Sequence, residues 1–212
     1  MVNNPRDYRA RTLWLYILFS SCGAIVAGSF FLDGAVARFT TMLRTPSLTA
    51  AMNMMTEFGD VTVLVWVVAC VYVIGIGSSR TGGKPTAILA ALALGTTGLC
   101  VLVLKLLTAR GGDGEFHFFW DWNPRLMQFP SGHAAMACAV SVVLGRVYRS
   151  FRWPLFAIVL AVAISRVYLS HFFSDVVAGL LLGLAVSCLI LRDAGRWKYI
   201  RSMSRRKIAW DP

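Results

Sequence analysis

Three stretches of this chain, 12–32, 61–79 and 85–104, contain no charged residue and are each long enough to cross a bilayer as a helix. In a chain of 212 residues that is 57% hydrophobic and only 15% charged, they exclude an ordinary soluble domain. Hydrocarbon offers backbone N–H and C=O groups no partner but each other, so each stretch is expected to be helical. Three further windows, 131–148, 153–170 and 172–191, are as apolar but are interrupted by ionisable residues. Such residues belong in the interior of a helix bundle, because facing lipid costs them several kcal/mol. The expected fold is all-α: a polytopic membrane protein with six transmembrane helices in one bundle, and a single membrane domain over 1–212.

The distribution of charge sets the expected orientation. Taking the N-terminus as cytoplasmic puts Arg6, Arg9, Arg11, Arg80, Lys84, Arg146, Arg149, Arg152 and the basic residues from Arg192 onward on the inner side. Only Arg38, Arg44, Lys105, Arg110, Arg125 and Arg166 then fall outside, as the positive-inside rule requires. Residues 1–11 are an expected cytoplasmic N-terminus and 192–212 a basic cytoplasmic tail. The net charge of +11 is thereby explained without nucleic acid as a partner. The first span follows three arginines, as a signal peptide would, but its apolar core is longer than an h-region, so it is expected to be retained. Cys22, Cys70, Cys100, Cys138 and Cys188 each fall inside an apolar span with no CxxC or metal-ligand spacing, and read as small core hydrophobes.

Between the spans, 35–60 mixes apolar and polar residues, with Leu48, Ala51, Met52 and Met55 at helical spacing. This predicts an amphipathic helix on the outer surface, serving either as a wall that guides a lipid or as a plain connection. The turn 77–84 closes a helical hairpin on the inner side. Lys105 ends the third span, and the loop 111–129 carries Phe116, Phe118, Phe119, Trp120 and Trp122, which suit headgroup depth. His117 in this loop has no partner at telling spacing and reads as a solvated histidine.

Two short stretches carry chemistry. Phe129-Pro130-Ser131-Gly132-His133 leads straight into an apolar helix. The first turn of a helix has unpaired N–H groups and a partial positive charge, so it is a ready anion site. Gly132 allows close approach, Ser131 adds a hydroxyl donor, and His133 lies within reach of whatever is held. The second stretch is Ser165-Arg166 followed by His171-Phe172-Phe173-Ser174-Asp175. On a helix His171 and Asp175 share a face, so the carboxylate can fix the imidazole tautomer. By the alternating topology, Lys105, the Ser131–His133 cradle, Arg166 and His171 all emerge at one membrane face.

With these residues assembled, the chain resembles the type 2 phosphatidic acid phosphatase superfamily, membrane lipid-phosphate phosphatases that share a site with vanadium haloperoxidases. The family shows Lys, six residues, Arg-Pro; then Pro-Ser-Gly-His; then Ser-Arg, five residues, His, three residues, Asp. Pro130-Ser131-Gly132-His133 matches the second motif in full. Ser165-Arg166 and His171-x3-Asp175 match the third with four residues in place of five. Lys105 matches the start of the first, but Gly112 and Asp113 stand where Arg-Pro is expected; Arg110, two residues early, is the expected substitute, with Arg125 as competitor.

The resemblance implies that His171 is the nucleophile, oriented by Asp175, and that His133 is the general acid. Lys105, Arg110, Ser131, Gly132 and Arg166 would bind the phosphate. It implies no metal and no cofactor. The implied activity is hydrolysis of a lipid phosphomonoester or pyrophosphate of the phosphatidate, phosphatidylglycerophosphate, polyprenyl pyrophosphate or lipid A phosphate type, through a phosphohistidine. A lipid phosphotransferase with the same site, and a non-catalytic lipid-binding or transport relative, remain alternatives. The expected location is the inner (plasma) membrane, with both termini cytoplasmic, the site extracytoplasmic, and the bilayer and its lipid phosphates as partners.

Overall fold

The computed structural model describes residues 5–77, 83–117 and 127–208, and the side chains within them except those of 5–15, 17–19 and 195–208. The turn 78–82, the loop residues 118–126 with Phe118, Phe119, Trp120, Trp122 and Arg125, and the side chains of the basic tail from residue 195 onward therefore lie outside the described residues.

The described residues form α1 (Pro5–Met42), α2 (Pro46–Glu57), α3 (Val61–Gly77), α4 (Gly83–Thr108), α5 (Gly132–Val147), α6 (Arg152–Leu169) and α7 (Phe173–Ile208). Among them the only β pairing is an isolated bridge between Arg110 and Phe116. The fold is all-α, and the protein is an integral membrane protein. Helices overlie all six expected windows, but the count of six spans is not reached on length alone. Four segments are long and apolar enough to cross by themselves: Ser20–Met42, Gly83–Thr108, Arg149–Leu169 and Phe173–Ala194. α2 and α3 qualify only as a pair, bent by 45°. α5 has 16 residues, or about 24 Å of helix against a hydrocarbon core of roughly 30 Å.

The surface helix expected over 35–60 is shorter than that window. α1 runs unbroken to Met42 and carries Asp33 with it. The chain then turns, and Thr45 caps α2 by accepting from Leu48 N at 3.2 Å, with Pro46 at the first helical position. α2 is more than a connection. Thr49 Oγ1 lies 3.2 Å from the Tyr168 hydroxyl, and Thr56 Oγ1 accepts from Arg166 at 3.2 Å, so its C-terminal end reaches the end of α6.

Small residues bring the helices together. Leu64, Ala90, Ala93, Leu94, Ala139, Val140, Val143 and Leu144 form the core between α3, α4 and α5. α7 meets α5 through Gly179 and Gly183, a small-x-x-x-small pair. A Cβ at Gly179 would fall 2.5 Å from the Ser131 carbonyl oxygen, and one at Gly183 would overlap the Ala135 carbonyl. Because lipid tails are as apolar as leucine, such close backbone packing is what holds spans together. It also sets the start of α5 against the start of α7. Gly183→Leu is expected to lower stability by at least the ~1–3 kcal/mol typical of overpacking. Activity should fall with it, while Gly95→Ala, where a Cβ would meet nothing within 4 Å, behaves as the parent. Thermal unfolding in detergent measures both, and a parent-like Gly183→Leu would refute the packing argument.

Candidate active site

The sequence-predicted residues come together at one end of the bundle. Lys105 lies in the last turn of α4, Arg166 in the last turn of α6, Ser131 and His133 at the start of α5, and Asp175 in the first turn of α7. His171 stands in the turn before α7, buried beside Asp175, and the charges of Arg166 and Lys105 act on it directly. Burial, first, and then the two cations hold the His171 imidazole below its ordinary pKa, although contact with Asp175 opposes them. These effects favour the neutral imidazole.

The cradle has unclaimed donors. Ser131 occupies the N-cap of α5 in an extended conformation, yet its side chain makes no capping hydrogen bond. Its hydroxyl is fully buried and has no partner among the described residues, although buried polar groups are normally paired. The first intrahelical bond runs from Ala135 N to Ser131 O at 3.1 Å, which leaves the amides of Gly132, His133 and Ala134 ahead of the ladder. A Cβ at Gly132 would meet only ordinary contacts, the nearest being Val101 at 3.5 Å, so packing does not demand the glycine. Opposite, Arg166 donates to Thr56 and to Ser170 Oγ, both at 3.2 Å, and its buried Nε has no partner. Lys105 makes no ion pair among the described residues.

His171 is placed differently from its expected position on a helix. α6 ends at Leu169, and the amides of Ser170 and His171 both return to the Arg166 carbonyl, at 3.2 and 2.9 Å. This tight turn accommodates the one-residue-shorter spacing and sets the guanidinium beside the imidazole. Asp175 then closes the start of α7 as the third-position acid of a capping box does, accepting from Phe172 N at 3.1 Å. The same oxygen, Oδ2, lies 3.4 Å from His171 Nδ1, which has no other partner. A backbone bond from Ser131 N to Asp175 O, 2.9 Å, ties the cradle to the His–Asp pair.

Arg110 departs from the sequence expectation. α4 stops at Thr108, and Ala109 adopts a left-handed conformation with φ 41°, which swings Arg110 away from the end of α4 and behind Asp175. Its guanidinium, expected on the phosphate, is instead engaged with two carboxylates: Asp175 Oδ1 at 2.5 Å and Asp33 Oδ2 at 2.9 Å. It also donates to Ser174 Oγ at 2.8 Å and to the Gly114 carbonyl at 3.2 Å. The rings of Phe30, Phe116 and Phe172 surround it at 5.0, 5.1 and 4.3 Å. Arg110 is 3% exposed, so leaving either carboxylate unpaired would cost about 3–5 kcal/mol.

Sequence reasoning missed Asp33, Ser174, Thr56 and Asp60. Asp33 accepts from Ser174 N at 2.8 Å and Ser174 Oγ at 2.6 Å, capping an orphan amide of α7 from another helix. Asp60 stands 3.9 Å from His133 Nε2, because Gly59 lets the α2–α3 elbow press on His133: a Cβ there would lie 3.0 Å from His133 Cβ. An acid directly after a charge-free span, as Asp33 is, was the one available signal. Gly112, where the family pattern has arginine, lines a cavity of about 140 Å³ with Asp33, Arg44 and His171. His117 does have a neighbour, Asp113 at 4.0 Å; with Glu115 these form an exposed group of potential metal ligands.

The family model described as the PAP2 superfamily matches residues 85–199. The fold is similar to the crystal structure of the first transmembrane PAP2 type phosphatidylglycerolphosphate phosphatase from Bacillus subtilis, at 23% identity and TM-score 0.65, covering 85% of this chain and 96% of that one. It is also similar to Aquifex aeolicus LpxE, at 22% identity and TM-score 0.59, covering 76% and 95%. A comparison with curated proteins finds no match. The family match spans more than half of the chain and includes Lys105, Ser131, His133, Arg166, His171 and Asp175, the residues that converge at one end of the bundle; the protein belongs to the PAP2 superfamily.

Proposed function

We propose that this protein is a metal-independent phosphatase of membrane lipid phosphates or pyrophosphates, acting through a phosphohistidine at His171. The observation that carries this reading is the set of unclaimed donors gathered at the same end of the bundle as the His–Asp pair: buried Ser131 Oγ and Arg166 Nε, and the first-turn amides of α5, which lie ahead of its hydrogen-bond ladder. Unpaired buried donors are costly, and an anion with several acceptor oxygens satisfies them together. Lys105 adds a cation with no competing ion pair among the described residues.

In the reaction, Asp175 holds Nδ1 of His171 protonated and leaves Nε2 free to attack phosphorus. The Nε2–P bond forms as the bond to the leaving oxygen breaks, and His133 supplies that oxygen with its proton. Water then attacks the phosphohistidine, returns a proton to His133, and releases inorganic phosphate. Lys105, Arg166, Ser131 and the Gly132 amide stabilise charge on the equatorial oxygens. The site sits where the ends of α4 and α6 meet the starts of α5 and α7, which suits a substrate whose phosphate lies at headgroup depth. With the basic residues inward, that end faces the extracytoplasmic side and both termini are cytoplasmic. Single-domain organisation over 1–212 is part of the same reading.

The test is phosphate release by the purified protein from phosphatidate, phosphatidylglycerophosphate, a polyprenyl pyrophosphate and a lipid A phosphate. Release from at least one of them is expected to persist in excess chelator and to be inhibited by vanadate. Strict dependence on a re-added divalent ion would remove the metal-independent mechanism. Appearance of the label in a second lipid with no free phosphate would identify a transferase.

A further inference from the structure

Behind the proposed nucleophile a chain of groups with alternating charge runs from the site to α1. His171 Nδ1 faces Asp175 Oδ2, Asp175 Oδ1 accepts from Arg110, and Arg110 donates on to Asp33. Ser174 braces the far end, accepting from Arg110 and donating to Asp33 through both its hydroxyl and its amide. Asp33, Arg110, Ser174 and Asp175 are all buried. This is more than Asp175 needs to be neutralised, since Arg110 alone would do that.

We infer that Arg110 and Asp33 are positioning residues for the phosphoryl-transfer step, which pin Asp175 and set the charge behind His171. This rests on His171 being the nucleophile. A carboxylate can turn about its Cβ–Cγ bond and offer either oxygen; with Arg110 on Oδ1, Oδ2 stays on His171 and Phe172 N. Arg110 cannot drift, because Asp33, the Gly114 carbonyl and three aromatic rings fix its plane. The three charges sum to one negative. As Nε2 bonds to phosphorus the imidazole becomes cationic, and a single uncompensated negative charge behind it favours that change. Neutralising Asp33 leaves the group at zero. Neutralising Arg110 leaves two carboxylates facing each other in a buried space. The unusual first motif thus gains a role: an arginine two residues early, swung back by left-handed Ala109, serves the nucleophile rather than the phosphate.

The experiment uses the full chain in detergent, with Asp33→Asn, Arg110→Lys, Arg110→Gln and the double variant Asp33→Asn/Arg110→Gln, and active sites titrated by the phosphoenzyme burst. Asp33→Asn and Arg110→Lys are expected to lower kcat and the rate of phosphoenzyme formation by about 10–100-fold, the range for groups that orient a functional side chain. KM and the inhibition constant of inorganic phosphate should stay within about threefold of the parent, because the phosphate donors are untouched. The double variant restores a single negative charge, so it should be faster than Arg110→Gln. Weakened binding of inorganic phosphate in Arg110→Lys would return Arg110 to the phosphate, and losses that simply multiply in the double variant would overturn the charge argument. A purely structural role would reduce the yield of folded protein yet leave kcat per titrated site unchanged, which also refutes the proposal. A parent enzyme that forms no acid-labile, alkali-stable phosphoenzyme refutes the nucleophile itself. A parent that forms it, with Asp33→Asn equally fast, refutes only the positioning role.

Discussion

Replacing His171 with alanine is expected to abolish turnover on every substrate and to leave no phosphoenzyme. The nucleophile is needed whatever group departs, so its loss cannot be offset by a better leaving group. Neighbouring side chains cannot step in. Asp175 is buried beneath the imidazole with Oδ1 held by Arg110 and Oδ2 by Phe172 N, so it cannot reach an attacking position without breaking both bonds. Binding should survive, because Ser131, Lys105 and Arg166 reach their positions from other helices. Vanadate, which draws part of its affinity from the attacking nitrogen, should weaken, while inorganic phosphate should still protect the protein against thermal unfolding. The measurement is turnover on a lipid phosphate and an aryl phosphate, with acid-labile phosphoenzyme quantified after rapid quench. Persistent phosphoenzyme in His171→Ala would place the nucleophile elsewhere.

How much of this could be read in the chain depended on whether a signal is local. Apolar windows and the Pro-Ser-Gly-His and His-x3-Asp stretches are contiguous, so the helices and most of the residues that converge at one end of the bundle were legible. The bent α2–α3 pair and the short α5 were not, since hydropathy reports composition and not where a helix turns. Arg110 shows the limit most clearly. By spacing alone it is the natural replacement for the missing arginine at Gly112, and nothing in the sequence shows that Ala109 takes a left-handed conformation. Its partner Asp33 lies 77 residues away on α1, and only the packing of α1 on α7 brings the two together. The Asp60–His133 approach likewise depends on an elbow at Gly59. Local motifs carry the residues of the proposed chemistry, while the groups packed behind them are found only through tertiary contacts.

His133→Ala is expected to separate the two histidines by role. A general acid matters in proportion to how much the leaving oxygen needs a proton. An alkyl alkoxide is a poor leaving group, so on an alkyl phosphate the loss should be roughly 10² to 10⁴-fold, the usual contribution of a positioned acid. An aryl phosphate or a pyrophosphate departs as a stabilised anion and should lose much less. The geometry suits this task. His133 sits in the first turn of α5 with Asp60 Oδ2 3.9 Å from Nε2, a carboxylate close enough to hold the ring in place for proton transfer. Asp60 comes from the α2–α3 elbow, so it can be removed without disturbing the His171–Asp175 pair. Asp60→Asn should therefore show the same leaving-group pattern as His133→Ala, weaker in size. Matched alkyl and aryl esters of one scaffold, assayed under conditions where chemistry limits the rate, provide the comparison. Equal losses on both esters would mean that His133 only binds the phosphate, and an Asp60→Asn variant slowed evenly on both would detach Asp60 from the general acid.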